Sequence, residues 1–488
     1  MTQSSKPHPV IYNSAGSALL ESTAGKSPDM GMTRRDFLLS TTAAAMLPHA
    51  ALGSEKPLNV VLVFCDDLGY GDLAVYGGAN PTPNLTRFAA EGMRFTNLDS
   101  ANPVCSPSRA SLLTGRYPTR VGVPRVLGPK DVDGLNLDEV TLADMLKAKE
   151  YKTCAVGKWH LGLPEKYLPI SRGFDEYLGV PYSVDMNPRV LMDGTKVIEQ
   201  ETDVDYLTQK YTKRSIEFIE KSKDGPFFLY LAHSMVHIPL GASPAFKGKS
   251  GLGLYGDALA EIDWSFSEIM KTLDRNGLRE NTLVLFTSDN GPWFQGSPGR
   301  LRGRKTDTYE GGVREPFLAR LPGRIPAGSV CNGLASLMDV TPTVAKLTGA
   351  RPGEKPFDGI DIWPLLSGEK KSIDRDVLLF FDNVYLQAAR WNRWKLHLTR
   401  YDQESYSVIR GHRQTNYSLR SPELYDMDLD VDESYDVAPL HPDIVAKISG
   451  RVTELLAGFP INIQQAWDET KSRVNSETRI GARPQPAN

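Results

Sequence analysis

Short apolar runs that alternate with helical segments constrain this chain more than any other feature. LNVVLVFC, Leu58 to Cys65, is rich in β-branched residues and closes on Asp66, Asp67 and glycine. It has no alternating polar face, so a strand made from it must be covered on both sides. TLADMLKAKE reads as a short amphipathic helix leading into the strand of YKTCAVGKWHLG, and GPFFLYLAH reads as another strand. From Leu259, the residues Ile262, Phe266, Ile269 and Leu273 recur at helical spacing up to Asn276-Gly277, before TLVLFTSDNG gives one more strand. A last helix falls between Thr341 and Gly349. The alternation implies an α/β fold, a large mixed, mostly parallel sheet sandwiched by helices.

After Lys371 the texture changes to short strand-like runs such as DVLLFFDN and YLQAARWNRWKLHL. A smaller C-terminal antiparallel sheet plus a helix from Pro442 to Leu456 is expected over 372–488, with a loosely held tail after Thr470. The main domain is then 54–371. At the other end, TRRDFLLSTTAAAMLPHAALG, Thr33 to Gly53, joins an arginine pair to a short, weakly apolar run and small residues. This pattern resembles a twin-arginine export signal, so residues 1–53 are expected to be a leader and the protein to be periplasmic or extracellular. The preceding polar stretch is long for a leader, and Met30 or Met32 fits as an alternative start. Phe37 to Leu47 is too short to span a bilayer, and no other stable membrane span is expected.

With 24% charged residues and a formal net charge of −3, the chain offers no basic surface for nucleic acid. Its cysteines, Cys65, Cys105, Cys154 and Cys331, make no C-x-x-C pair, which argues against a disulfide framework or a zinc knuckle. Cys105 stands out by position. In NPVCSPSRASLLTGR, Ser106 suits a helix cap, Pro107 the first helical position and Arg109 the first turn, with Thr114-Gly115 as a stop. A thiol at a helix N-terminus meets unpaired N–H groups and the positive end of the dipole, which favour an anion and a deprotonated neighbour. A buried structural cysteine fits the same residues.

Asp66-Asp67 and Asp289-Asn290 each follow a strand and lead into glycine. Ligands of open parallel sheets gather at those carboxyl ends, and three carboxylates plus an amide oxygen make a donor set for calcium or magnesium. Neighbouring strand residues point to opposite faces, so convergence needs a bend that Gly69 and Gly291 would allow. Either pair alone also fits a plain turn; together with the cysteine motif they favour the metal. GKWHLG places Lys158 and His160 on one face of a strand end, a cation and a base suited to anion chemistry. His237 and Lys305 carry little weight by themselves.

CDDLGYGD, CSPSRASLLTGR, GKWHLG, TSDNG and YEGGVREP, in this order, resemble the formylglycine-dependent (type I) sulfatases of the alkaline-phosphatase-like superfamily from Leu58 to Leu347. PELYDMDLD extends the likeness, and LGVPYSVDMNP and GLYGDALAEIDWSFSEI resemble the arylsulfatase A-like branch. The resemblance implies a sulfuric ester hydrolase in which a separate formylglycine-generating enzyme oxidises Cys105. The hydrated aldehyde then supplies a gem-diol oxygen nucleophile, and a sulfated hemiacetal intermediate expels sulfate with no attack of water on sulfur.

By the same resemblance, Asp66, Asp67, Asp289 and Asn290, with modified Cys105, match the ligands of Ca2+, ahead of Mg2+ or Mn2+. Arg109 and Lys158 match positions that hold the formylglycine, and His160 matches the base that collapses the intermediate. His237 and Lys305 match the pair at the bridging oxygen, and Ser183 a sulfate contact. His233 lies four residues from His237, which is preferred for the Ile-Pro that follows it. Lys305 is preferred over Arg302 and Arg304 because it stands four before Tyr309. Cys65, Arg304 and Glu315 depart from the family pattern; Cys65 is expected in the core and Arg304 at the mouth of the site.

The substrate is expected to be a sulfated carbohydrate or other small-molecule sulfate ester, including aryl sulfates. The alternatives are a phosphonate monoester or phosphodiester hydrolase of the same fold, and a non-catalytic sulfated-glycan-binding protein if Cys105 stays unmodified. A cysteine phosphatase of the Cys-x5-Arg type would need arginine at 111, which is Ser111. The partners expected are the maturation enzyme and the twin-arginine export machinery.

Overall fold

The computed structural model describes residues 56–402 and 415–473. The leader expected over residues 1–53 lies outside the described residues. From Lys56 onward the described chain forms one compact unit.

Among the described residues, ten strands build the main sheet. Their order is Ser329–Cys331, Met93–Phe95, Phe317–Arg320, Thr282–Ser288, Asn59–Cys65, Phe227–Ala232, Lys152–Gly157, Glu176–Gly179, Leu191–Asp193 and Lys196–Glu199. The middle five, Thr282–Ser288 through Glu176–Gly179, are mutually parallel. Antiparallel neighbours flank them: Phe317–Arg320 on one side and Leu191–Asp193 on the other. These flanking strands make the sheet mixed.

Every residue of Asn59–Cys65 and Thr282–Ser288 is buried, as their unbroken apolar character requires. Helices supply the cover in two groups. Gly253–Arg275 packs with Pro83–Glu91 and Leu207–Ser222, while Cys105–Thr114 packs with Leu142–Lys147 and Val340–Thr348. The Leu142 helix is fixed by a reciprocal cap in which Thr141 Oγ1 accepts the Asp144 N–H and Asp144 accepts the Thr141 N–H.

Register sets the height of the site. Cys65 pairs with Ser288 and Phe64 with Ala232, so Asp66 and Asp289 leave two adjacent strands at one level, with His233 one residue lower on the third. The carboxyl ends of a parallel sheet thus come together where its ligands are expected.

A second sheet is antiparallel, in the order Leu378–Asp382, Tyr385–Trp391, Trp394–Tyr401 and Asn416–Asp426. The expected helix runs over Pro442–Leu456. A further helix, Ile461–Ser472, buries Ile463, Ala466 and Thr470 on one face, and the Ser418 N–H donates to Arg473 O at 3.0 Å. Of the tail expected to be loosely held after Thr470, residues 471–473 are pinned in this way, and the remainder lies outside the described residues. No described helix is long and apolar enough to cross a membrane.

Candidate active site

The helix carrying the cysteine spans Cys105–Thr114, and all ten of its residues are buried. Its cap is Val104, in extended conformation, so the expected Ser106 cap is corrected and Arg109 falls beyond the first turn. Asn102 shapes the start, its Oδ1 accepting the Val104 N–H at 3.2 Å. Gly115 ends the helix as expected, at φ 69°, with its N–H on Ser111 O. Ser106 does other work: its Oγ accepts the Leu127 N–H at 3.1 Å, and Leu127 O accepts His160 Nε2–H at 2.6 Å. A carbonyl can only accept, so the proton sits on Nε2. His160 Nδ1 then presents a lone pair with no partner among the described residues.

Asp66, Asp67, Asp289 and Cys105 converge, with one potential ligand atom from each lying within 4.8 Å of the others. The backbone bend comes from Asp67 itself, at φ 57°, and the role expected of the glycines is corrected. Gly69 and Gly291 are needed for closeness. A Cβ on Gly69 would stand 2.3 Å from Ser297 O, and one on Gly291 would stand 1.9 Å from Gly311 O. Lys158 and His160 also reach the site differently than expected. Their strand ends at Gly157, and they sit in the turn beyond it with His160 at φ 63°.

Cations surround the carboxylates. Arg109 Nη2 lies 2.8 Å from Asp289 Oδ2 and 3.3 Å from Asp66 Oδ1, and Lys158 Nζ lies 2.7 Å from Asp66 Oδ2. Lys305 Nζ is 2.7 Å from Asp67 Oδ1 and 3.3 Å from Cys105 Sγ. Lys158 also donates to Ser183 Oγ at 3.1 Å. His237 Nδ1 donates to Ile238 O, which leaves Nε2 facing Asp67 Oδ2 at 3.6 Å. His233 is elsewhere, against Ser265 and Tyr211.

These contacts set the charges. Burial pushes Asp66 up, but Lys158, His237 and Arg109 outweigh it and hold the carboxyl well below the usual range. Burial and the neighbouring Asp66 raise Asp289 to about 7. Burial, then Lys158 and Arg109, hold His160 well below an ordinary histidine, so it is neutral. Burial and Lys305 lower His237 as well. The Cys105 thiol is raised by burial despite Lys158 and Lys305. The deprotonated cysteine expected at the helix start is thereby corrected, because desolvation of a thiolate outweighs both lysines and the dipole.

Three carboxylates and Asn290 offer only oxygen to an ion. Asn290 Nδ2 is spent on Asp67 Oδ1 at 2.8 Å, while its buried Oδ1 has no partner among the described residues. That donor set fits a hard divalent cation.

Of the departures from the family pattern, Cys65 is in the core, fully buried. Arg304 does not project into the mouth as a free charge; its Nη1 donates to Trp293 O at 3.1 Å and Gly296 O at 2.9 Å. Glu315 is fully buried with neither carboxyl oxygen partnered among the described residues, and burial raises it well above the usual range. The Ser106–Leu127 link to His160 was not foreseen, because a backbone carbonyl carries no sequence signal.

A family model described as Sulfatase matches residues 58–350, and one described as the C-terminal region of aryl-sulfatase matches residues 373–479. Human arylsulfatase A is 39% identical over 431 residues, covering 80% of this chain and 85% of that protein. Rat N-acetylgalactosamine-6-sulfatase is 40% identical over 71% of this chain and 72% of its own length. A solved Pseudoalteromonas sulfatase superposes with a TM-score of 0.74 at 29% identity, covering 85% of this chain and 92% of that one. The fold is that of the alkaline-phosphatase-like enzymes, as expected. Chain-long likeness and a buried acidic cluster around a helix-borne cysteine lead to one conclusion: the protein belongs to the sulfatase family, on its arylsulfatase A-like branch, and is a sulfuric ester hydrolase.

Proposed function

We propose that the protein hydrolyses sulfate esters of carbohydrates, and aryl sulfates as model substrates, through formylglycine made from Cys105. The observation that carries this reading is the surroundings of Cys105 Sγ, buried with Lys305 Nζ at 3.3 Å and Asp66 Oδ1 at 3.5 Å. A thiol raised by burial is a poor nucleophile there, so conversion of the side chain gives the position its chemistry. Once oxidised and hydrated, residue 105 would offer an oxygen nucleophile whose ionisation a bound calcium ion, held by Asp66, Asp67, Asp289 and Asn290, would favour.

The remaining groups have roles set by their protons. Ser183 Oγ accepts from Lys158, so its own O–H is available to a sulfate oxygen. Lys158 and Arg109 stay charged against Asp66 and Asp289 and hold the nucleophile's surroundings in place. His160 is neutral with Nδ1 open, the state a base needs to take a proton from residue 105. Lys305 and His237 Nε2 stand together at Asp67, where they can meet charge on the departing alcohol oxygen.

The chain divides into a catalytic region, 54–371, and a smaller C-terminal part, 372–488. The leader over residues 1–53 directs twin-arginine export, to a periplasmic or extracellular location, after folding and maturation. Mass spectrometry of the Cys105 peptide from active protein tests the reading directly. A CHO group in place of CH2SH is expected, and an unaltered thiol in protein that turns over a sulfate ester would overturn it. Cys105→Ala is expected to fold and to lose roughly 10^4-fold or more in kcat.

A further inference from the structure

The loop that carries Lys305 is held from outside the main sheet. On its inner side, Lys305 N–H donates to Pro292 O, in the loop after the Thr282–Ser288 strand, at 3.1 Å. Every residue from Thr308 to Glu310, and Arg302 before them, reaches towards the antiparallel sheet. Thr308 Oγ1 meets Gln387 Oε1 at 3.0 Å, and the Tyr309 ring stacks on His397 with centroids 4.6 Å apart. The Glu310 N–H donates to Glu433 Oε2 at 2.6 Å, and Arg302 Nη1 donates to Glu433 O at 2.8 Å.

Glu433 is the hub of this clamp. It lies in the turn after the Asn416–Asp426 strand, fully buried, and its other oxygen takes His397 Nε2 at 2.7 Å and Lys395 Nζ at 3.3 Å. Lys395 Nζ in turn binds Glu310 Oε1 at 2.8 Å. The desolvation of Lys395, Glu310 and Glu433 roughly cancels their mutual attraction, so net stability is a poor account of their burial. What the arrangement does fix is geometry. Glu433 grips the loop on both sides of Lys305, at Arg302 and at Glu310, and leaves the lysine itself free of the clamp.

We propose that Glu433 is a positioning residue for Lys305, setting where its ammonium meets the departing alcohol oxygen. This rests on the role given to Lys305 above. A displaced lysine would matter most when the leaving oxygen is strongly basic and least when the alcohol departs easily. A merely loosened fold would slow all esters alike.

The test is kcat/KM of Glu433→Gln on a series of aryl sulfates of similar shape, from 4-nitrophenyl through phenyl to 4-methoxyphenyl sulfate. The expected result is a steeper dependence on leaving-group basicity, with the 4-methoxyphenyl ester losing about tenfold more than the 4-nitrophenyl ester. Lys305→Met should steepen the same plot further. An equal loss across the series, or none, in Glu433→Gln overturns the proposal while leaving the role of Lys305 standing. A flat plot in Lys305→Met overturns that role itself. Should Glu433→Gln not fold, Arg302→Ala, at an exposed side chain, carries the test: a steeper slope supports the clamp and an unchanged slope overturns it.

Discussion

Arg109 Nη2 and Asp289 Oδ2 meet at 2.8 Å with neither side chain touching solvent. The same guanidinium reaches Asp66, so one buried cation serves both carboxyl groups, Asp66 ionised throughout and Asp289 ionised above about pH 7. Arg109→Ala is expected to cost about 3–5 kcal/mol in metal-free protein, because it strands charge in the interior. Arg109→Lys keeps the charge but loses the fork, and should fall between. Urea unfolding midpoints check both, and an unmoved midpoint in the alanine variant would show that the carboxylates are neutralised some other way.

Divalent-ion binding should depend on pH through Asp289. The folded, metal-free protein holds a proton there up to about pH 7, whereas an unfolded chain releases it near 4. That raised value stabilises the metal-free fold at low pH and is lost as the pH climbs through about 7. Calcium must displace the proton, so its apparent Kd should fall about tenfold per unit as the pH rises towards 7 and level off above. Calorimetry in buffers of different ionisation enthalpy would show the released proton; the same Kd at pH 5.5 and 8 would refute the assignment.

His160→Gln should separate two phases of the reaction. If Nδ1 takes a proton only after the alcohol has left, the variant still releases one equivalent of 4-nitrophenol in a burst and then turns over about 10^2–10^4 times more slowly. A loss of the burst along with turnover would place His160 in the first phase instead.

Gly291 has no room for a methyl group, and Gly311 O is backbone that cannot swing aside. Gly291→Ala should destabilise the protein by about 1–3 kcal/mol and weaken calcium binding, because Asp289 and Asn290 precede it directly. Gly277→Ala, where a Cβ meets nothing within 4 Å but φ is 67°, should cost stability without touching the metal. Thermal midpoints and calcium titrations on the two variants give the contrast.

Much of this architecture was legible because its strongest signals are local. Apolar runs such as Val60 to Cys65 and the period of Ile262, Phe266 and Ile269 name their own elements. The Cys105 motif and the two acidic pairs carried the likeness that brought the site together. Three-residue strands such as Met93–Phe95 and Ser329–Cys331 left no pattern, since they are strands only by virtue of their neighbours. The Ile461–Ser472 helix was passed over because its buried side chains are few and small. The cap at Val104 and the bend at Asp67 break local preference: tertiary contacts around the carboxylates, including the Asp67 N–H on Asp289 Oδ1 at 3.1 Å, override propensity there.

The pairing of Cys65 with Ser288 works as a ruler. Adding or deleting one residue within either strand would drop one acidic pair a full step, about 3.3 Å, below the other and turn its side chains to the opposite face. Length is therefore frozen in the strands and free in the connections that leave their far ends. A lineage built on this scaffold can remodel what it recognises by lengthening those connections, without renegotiating the spacing on which its chemistry depends.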